Sequence, residues 1–329
     1  TLNLKDSRAI EIIKELVREC DIVVENFAPG VMERLGLGFE DLRVVKPDLI
    51  YMSGSTLGSS GPDYKATGWG PNTLSYAGLT SLMGYDDRAP VQAGGNLPDY
   101  LVGNVMAFYL LSALAFRSKT GIGQYIEVSM AELVSTLIPE EFMDFSMNRR
   151  EGKRQGNHVD EMSPHNVYPS EGYDQWIAIS IQSDLEWVTL CEVTGHSEWA
   201  KDPRFSTLKN RKSNEEELDN LIGNWTSTIS PRDAMDLLQG VGIAAGPVMS
   251  TFDLLVDPHF NERGFVIELD HPEVGTRSLA GLPAKFSEMP ALGYFPAPVL
   301  GQDNEYVFKE ILGMSADKFQ SLIIDKVIY

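Results

Sequence analysis

The stretch GGNLPDYLVG, Gly94 to Gly103, places one carboxylate, Asp99, between a proline and a long apolar run. An aspartate directly before an apolar helix is a preferred N-cap residue, because its side-chain oxygen accepts a hydrogen bond from a free backbone N–H group. A helix N-terminus also stabilises negative charge, and an ionised carboxylate can attack an electrophile without a partner base. The residues alone therefore leave two interpretations of Asp99 open, a helix cap and a nucleophile, and one residue can be both.

The patterns of other common catalytic sites are not found in the sequence. The five histidines are scattered without HExxH or HxH spacing, and neither cysteine lies near them at a metal-ligand spacing, so no metal site is predicted. No GxGxxG joins a strand to a helix, because TGIGQ precedes a predicted strand. A Walker A motif and a GxSxG nucleophile elbow are also missing. The absence of these motifs argues against dinucleotide binding, P-loop phosphate binding and triad hydrolysis.

The overall composition limits the class of protein and its partners. The chain has 329 residues, 43% hydrophobic and 22% charged, which is typical of a globular protein with one large domain and a smaller one. Its formal net charge is -20, so nucleic acid and anionic membrane are not expected as partners, since both need a basic footprint. Cys20 and Cys191 form neither a disulfide framework nor a CxxC pair, which favours a reducing cytoplasmic compartment.

The beginning of the chain, TLNLKDSRAI, contains no apolar secretory signal and no initiator methionine. We therefore expect the sequence to begin inside a longer gene product.

The elements that must position Asp99 alternate between helix and strand. The segment SRAIEIIKELVREC predicts a helix, and DIVVENF, DLIYMSGS and YIEVSM predict three short strands. This βαβ rhythm predicts an α/β fold with a parallel sheet covered by helices. Ligands in such sheets usually bind at the carboxyl ends of the strands, where ENFAPG and SGSTLGSSGP lie.

The apolar run that follows Asp99, Tyr100 to Phe116, could be mistaken for a membrane span. It is shorter than the roughly 20 residues that a bilayer requires, and it contains Gly103, Asn104 and Ser112. We therefore expect a fully buried core helix here and no membrane partner.

A polar stretch without periodicity, residues 151–166, predicts a linker or flap between two lobes. The predicted organisation is a large domain over residues 1–150, this linker, a small α/β domain over 167–285, and a return to the large domain over 286–329. Within the small domain, SPRDAMDLLQGVG predicts a helix with Ser230 as N-cap and Pro231 in the first turn.

Three segments in chain order resemble one known family. They are VVENFAPGVMERLGLGFEDLRVVKPDLIYMSGS, the Asp99 helix ending in KTGIGQYIEVSM, and GIAAGPVMSTFDLLVDPHFNERGFV. Together they are similar to the class III CoA-transferases, the CaiB/BaiF group that includes formyl-CoA transferase. The resemblance runs through essentially the whole chain, and GWGPN, GNHVDEMSPHNVY and DPRFSTLKNR bring it closest to the benzylsuccinate-type subgroup.

The resemblance implies a fold and a reaction. The fold is a Rossmann-like large domain with a parallel sheet plus a smaller α/β domain, in an interlocked dimer. Asp99 matches the family's nucleophile, which carries CoA as an aspartyl-CoA thioester from an acyl-CoA donor to a carboxylic acid acceptor. Coenzyme A is thus expected as part of the substrate, with succinyl-CoA as one candidate donor.

Residues that contact CoA in the family are carried over position by position. Asn26, Phe27 and Arg34 match such positions, and Val31 lies on the same predicted helical face. The PG pair before Val31 opens a helix whose free N–H groups suit phosphate. Without the family pattern, Asn26 is better explained as a turn-forming residue and Arg34 as a solvated charge. Lys65 is added as a cation that could neutralise a CoA phosphate, on a looser alignment.

The sequence also departs from the family pattern. Acyl-CoA racemases of the family place a His-Asp pair where this chain has Trp69 and Gly70, so half of their acid/base chemistry is missing and transfer is favoured over racemisation. The glycine-rich flap of formyl-CoA transferase is not recognisable, which leaves His165 and Asn166 as candidate oxyanion donors. The leading segment of the family, some 70 residues, is not found before Thr1.

Two alternatives to a catalytic transferase remain at this stage. One is an acyl-CoA racemase or isomerase of the same family, which Trp69 and Gly70 oppose. The other is a non-catalytic subunit of a heteromeric CoA-transferase, which the presence of Asp99 opposes. The family implies an interlocked homodimer, and the benzylsuccinate-type subgroup makes a heterodimer the second expectation.

Overall fold

The computed structural model describes residues 1–290 and 293–329, which form two compact units. The first unit combines Thr1–Arg154 with Pro298–Tyr329, and the second comprises Gln155–Ala297. The last two residues of the predicted linker, His165 and Asn166, lie in a strand of the second unit.

The described strands are β1 (Ile22–Glu25), β2 (Ile50–Ser55), β3 (Gln124–Ser129), β4 (His165–Pro169), β5 (Trp176–Ser180), β6 (Ala244–Pro247), β7 (Val266–His271) and β8 (Gly275–Ala280). The described α-helices up to the end of the first unit's N-terminal part are α1 (Ser7–Glu19), α2 (Val31–Arg34), α3 (Phe39–Val45), α4 (Gly70–Tyr76), α5 (Leu79–Leu82), α6 (Leu97–Thr120), α7 (Met130–Ser135) and α8 (Pro139–Asn148). Those that follow are α9 (Asp184–Val193), α10 (Ser197–Lys201), α11 (Leu208–Ser213), α12 (Glu215–Thr226), α13 (Pro231–Gln239), α14 (Thr251–Val256), α15 (Pro258–Glu262) and α16 (Ala316–Ile324). A π-helix spans Tyr306–Ile311.

The first unit is built on a parallel sheet in the order β1-β2-β3, which confirms the predicted α/β fold. The middle strand, β2, is buried along its whole length. Tyr51 packs on one face with Leu37 and Leu42, while Met52 packs on the other with Val102 of α6. Helices therefore cover both faces of the sheet at β2, whereas burial alternates along the edge strand β3.

The TGxGQ segment ends α6 and starts β3 through a close backbone contact. A Cβ on Gly123 would lie 2.2 Å from the carbonyl oxygen of Leu49, so only glycine fits. The backbone N–H of Gln124 donates to the same carbonyl at 3.1 Å. Arg117 donates to the carbonyls of Asp21 and Asp48 at 3.1 and 3.2 Å. This turn sets the register between β2 and β3.

The helix that carries Asp99 differs from the sequence prediction in its burial. α6 buries Val102, Met106 and Ala113, but Tyr100 is 71% exposed and Leu111 is 66% exposed. The expectation of a fully buried core helix is therefore wrong for this chain. Sheet and neighbouring helices contact only one stripe of α6, because Val102, Met106 and Ala113 repeat at helical spacing. Among the described residues, α6 is also the one helix that is long and apolar enough to cross a membrane. One such helix is weak evidence for a membrane span, because the test considers length and composition only.

The second unit contains an antiparallel sheet in the order β4-β5-β6 and the β7-β8 hairpin. Its core joins Ile177 and Ile179 of β5 to Trp187 and Leu190 of α9. The predicted cap of α13 is confirmed, since the Ser230 side chain accepts from the backbone N–H of residue 233 and a proline follows in the first turn.

Candidate active site

A cleft of about 230 Å³ opens in the first unit at the carboxyl ends of its three parallel strands. The chain reaches it directly after β1 at Asn26, near the end of β2 at Gly54, and directly after β3 at Met130. The first turns of α6 form its remaining wall, with Asp99 and Met106 among the lining residues. This is where a parallel α/β sheet is expected to bind a ligand.

Asp99 lies in the first turn of α6 and not at its N-cap, so the cap interpretation is wrong. The N-cap position belongs to Asn96, whose side chain makes no capping hydrogen bond. The physical reason is Pro98, which has no N–H group and a fixed φ, and is therefore accommodated inside the first helical turn rather than before it. The helix thus begins at Leu97, three residues earlier than the cap interpretation requires.

The carboxylate of Asp99 is consequently available for chemistry. Asp99 is exposed, and among the described residues nothing donates a hydrogen bond to its side chain or forms an ion pair with it. The positive end of the α6 dipole stabilises its negative charge. A charged, unpaired carboxylate at the wall of an apolar-lined cleft can act as a nucleophile.

The predicted CoA contacts other than Lys65 lie between the end of β1 and the end of α2. Asn26 lines the same cleft as Asp99, and the Phe27 side chain is 45% exposed. The backbone N–H of Phe27 donates to the Glu25 carboxylate at 2.7 Å, which fixes the turn. Val31 and Arg34 are the first and last residues of α2.

Arg34 folds back towards the start of its own helix. Gly30, before α2, has a φ of 82°, in the left-handed region that favours glycine. A Cβ there would lie 3.1 Å from Nη1 of Arg34, so the guanidinium lies over this turn. Arg34 is exposed and makes no ion pair among the described residues, which leaves its charge free for an anion.

Lys65 is not among the residues that line this cleft. Its ammonium group lies 5.3 Å from the centroid of the Tyr64 ring, in the loop between β2 and α4. Its contact with a CoA phosphate stays a prediction.

Sequence reasoning missed several residues that line the cleft, namely Val24, Glu25, Gly54, Val102, Gly103, Met106 and Met130. Glu25 brings a second carboxylate to it, and its position as the last residue of β1 was the available signal. The others could not be found from spacing, because Gly54 meets Met106 only in the folded chain: a Cβ on Gly54 would lie 3.0 Å from the Met106 sulfur.

A buried tyrosine of β2, Tyr51, on the sheet face opposite to α6, has an altered acidity. Burial raises the pKa of the Tyr51 hydroxyl above its ordinary value, and the nearby carboxylates of Glu25 and Glu33 raise it further. The Tyr51 hydroxyl oxygen is buried without a hydrogen-bond partner among the described residues. Tyr51 therefore stays protonated and uncharged at physiological pH, and it contributes to the packing of β2.

The two candidate oxyanion donors are engaged inside the second unit. Nδ1 of His165 lies 2.6 Å from the carbonyl oxygen of Asn157, and the Asn166 amide donates to Asp219 at 2.8 Å. Their role towards a reaction intermediate stays a prediction. In the parts of the chain that the structure describes, no three metal-ligating side chains come together.

Comparison with known proteins decides the family. The sequence model of CoA-transferase family III matches residues 1–304. The chain belongs to this family.

Two relatives and one solved structure illustrate the match. A protein of Mycobacterium tuberculosis named as a CoA-transferase is 35% identical over 340 residues, and this chain spans 42% of its length. Succinyl-CoA–D-citramalate CoA-transferase of Chloroflexus aurantiacus is 30% identical over 328 residues, covering 100% of this chain and 81% of the relative. The crystal structure of a CaiB/BaiF family protein from Brucella suis superposes with a TM-score of 0.87 at 28% identity, covering 94% of this chain and 80% of that one.

The predicted resemblance to the class III CoA-transferases is thereby confirmed. As a member of family III, the chain is an enzyme that transfers CoA, and CoA is part of its substrate.

Proposed function

We propose that this family III enzyme moves CoA from an acyl-CoA donor to a carboxylic acid acceptor through a covalent intermediate on Asp99. The observation that carries the proposal is the free, exposed Asp99 carboxylate on the wall of the cleft at the strand ends. Asn26, on the same cleft, connects this carboxylate to the predicted CoA-binding turn that ends at Arg34.

The reaction splits one difficult exchange into single acyl transfers. A carboxylate oxygen of Asp99 attacks the thioester carbon, the C–S bond breaks, and CoA leaves as the thiolate. The thiolate then attacks the aspartyl carbonyl of the mixed anhydride, which releases the donor acid and leaves an aspartyl-CoA thioester. The acceptor carboxylate attacks this thioester and expels CoA thiolate, which finally attacks the acceptor carbonyl and restores Asp99.

The donor we propose is succinyl-CoA, with a small dicarboxylic acid as acceptor. This rests on the name of the Chloroflexus aurantiacus relative, which pairs succinyl-CoA with D-citramalate. The net charge of -20 means that an anionic substrate must be held by local cations, and Arg34 and Lys65 are the ones that we assign to CoA.

The racemase alternative is opposed by the residues beside Asp99. Removing and returning an α-proton requires an acid/base pair on the two sides of the substrate. Position 69 holds an indole that is 79% exposed, and position 70 has no side chain. We therefore assign transfer and not racemisation.

We further propose that the enzyme works as an interlocked homodimer in the cytoplasm, with a heterodimer of two related subunits as the alternative. The exposed apolar face of α6 supports a protein partner, because contiguous apolar surface of this kind marks interaction sites. This face includes Tyr100, Phe108 and Leu111.

The covalent intermediate provides the direct test. The protein is incubated with succinyl-CoA, treated with hydroxylamine or borohydride, and mapped by peptide mass spectrometry, and we expect modification at Asp99 alone. Asp99→Ala should lower the rate of transfer on the order of 1,000-fold or more. Glu140→Ala is the matched control, since Glu140 is an exposed carboxylate in the first turn of another helix, α8.

Full activity of Asp99→Ala would contradict the nucleophile assignment. Exchange of the α-proton in deuterated water, without transfer between acids, would support the racemase instead. Absence of both activities with retained CoA binding would support the non-catalytic subunit.

A further inference from the structure

Two glycines approach each other beside the Asp99 carboxylate. The position that a Cβ on Gly70 would take lies 1.9 Å from the carbonyl oxygen of Gly95 and 3.1 Å from Oδ2 of Asp99. A contact of 1.9 Å with a backbone atom cannot be relieved by rotating a side chain, so the Gly95 backbone would have to move. Gly95 directly precedes Asn96, the N-cap of the helix that carries Asp99.

The backbone conformation does not explain why residue 70 is glycine. Its φ lies outside the left-handed region, and it is the first residue of α4, where alanine is the better helix former. The close approach of Gly95 is therefore the reason that a side chain is excluded.

A second contact holds the loop that ends at Gly95 to helix α4. The Gln92 side-chain amide donates to the carbonyl oxygen of Pro71 at 3.3 Å. The backbone N–H of Val91 donates to Met83 at 3.1 Å and closes the loop at its base. The loop that ends at Gly95 is thus held to the start of α4 by Gln92 and by the glycine contact.

We propose that Gly70 and Gln92 are positioning residues for the Asp99 carboxylate. The proposal rests on the proposed function of Asp99 as nucleophile. Both residues act through the loop before α6: Gly70 lets Gly95 approach α4, and Gln92 holds the loop there. A nucleophile must meet the thioester carbon within a narrow distance and angle, and a misplacement of about 1 Å costs on the order of 100-fold in rate.

The experiment compares Gly70→Ala and Gln92→Met with wild type and with Gly246→Ala. Gly246 is the matched control, because a Cβ there meets nothing within 4 Å, its φ is not left-handed, and it lies in β6 of the second unit. For each protein the readouts are kcat, KM for succinyl-CoA, the rate of hydroxylamine-trapped modification at Asp99, CoA affinity by calorimetry and the thermal unfolding midpoint.

We expect Gly70→Ala to lower kcat and the trapping rate on the order of 100-fold. Gln92→Met should lower both by about tenfold, the equivalent of one hydrogen bond. KM and CoA affinity should stay near wild type in both variants. The unfolding midpoint should fall by only a few degrees in Gly70→Ala, where the Gly95 backbone has to move, and stay near wild type in Gln92→Met. Gly246→Ala should match wild type throughout.

The proposal is overturned if Gly70→Ala traps at the wild-type rate. It is also overturned if Gly70→Ala loses activity, CoA affinity and unfolding midpoint together while Gln92→Met is normal, because that result describes a structural defect. Failure of the proposed function is seen separately, as the absence of trapped Asp99 in the wild-type protein.

Discussion

The second unit and the layer around α6 in the first unit fill their interiors differently. In the second unit, β5 and helices α9, α12 and α13 contribute to one continuous cluster that includes the fully buried Trp187 and Phe205. In the first unit, the cluster between the sheet and α6 is small and centres on Met52, Val102 and Met106. The rest of α6 is open to solvent along most of its length.

This difference means that the packed cluster of the second unit contributes to stability, whereas the layer around α6 provides the cleft. The cluster around Trp187 in the second unit is closed by its own side chains, so its packing is decided within the chain. The layer around α6 leaves a cleft at one end and an apolar face along one side, and Asp99, the carboxylate that we propose as nucleophile, lies at that open end. A nucleophile must be reachable by substrate, and the elements that carry it are therefore the less completely packed ones.

The largest effect that we expect is the loss of unfolding free energy when the core of the second unit is truncated. Trp187→Ala should lower the free energy of unfolding by about 3–5 kcal/mol, because a fully buried indole leaves a cavity that the surrounding helices cannot fill. Urea unfolding followed by circular dichroism measures it. Leu185→Ala, on the same helix but 76% exposed, should change it by less than about 0.5 kcal/mol. Equal effects of the two substitutions would mean that this core is not the stabilising cluster described here.

Two residues that line the cleft, Asn26 and Asp99, could be predicted from sequence because they lie close to recognisable segments. Strand β1 ends where ENFAPG begins, so Asn26 was placed at a strand end from apolar runs and turn chemistry alone. The apolar run after Asp99 indicated the helix that carries it. The family motifs, and not local physics, distinguish Asp99 as a candidate nucleophile from the many aspartates found at helix starts.

What could not be predicted depends on contacts distant in sequence. The extent of burial of α6 depends on how many neighbours cover it, which the apolar run does not show. The approach of Gly70 to Gly95 joins two loops and leaves no periodicity in the sequence. The start of α6 lies three residues before the predicted one, because Pro98 is accommodated inside the first helical turn and does not precede the helix.

The next effect concerns the exposed face of α6. If a second subunit covers this face as proposed, Leu111→Glu should shift the protein from dimer to monomer in sedimentation velocity, because a charge buried in an apolar interface is strongly unfavourable. The concentration dependence of the unfolding midpoint should then disappear. Leu185→Glu introduces the same charge at an exposed leucine of the second unit and should leave the assembly unchanged. An unchanged dimer in Leu111→Glu would place the interface elsewhere.

The smallest effect uses the thiol enclosed by the second unit's core. Burial raises the pKa of Cys191 to about 12 from its ordinary value of 9.0. Above pH 9 the unfolded thiol loses its proton while the folded one keeps it, so the unfolded state binds fewer protons and stability falls as pH rises from about 9 to about 12. The loss should be on the order of 1 kcal/mol at pH 10.

Buried Tyr168 complicates the measurement, because burial raises its pKa as well and gives the same sign at high pH. The difference between wild type and Cys191→Ala isolates the thiol: the variant starts less stable at neutral pH, and the gap between the two proteins should narrow as pH rises. Labelling with a thiol reagent at pH 8 gives an independent check, since Cys191 is fully buried and Cys20 is half-buried. Rapid labelling of Cys191 in the folded protein would show that the second unit opens locally. The packing of its core and that of the layer around α6 would then differ only in degree.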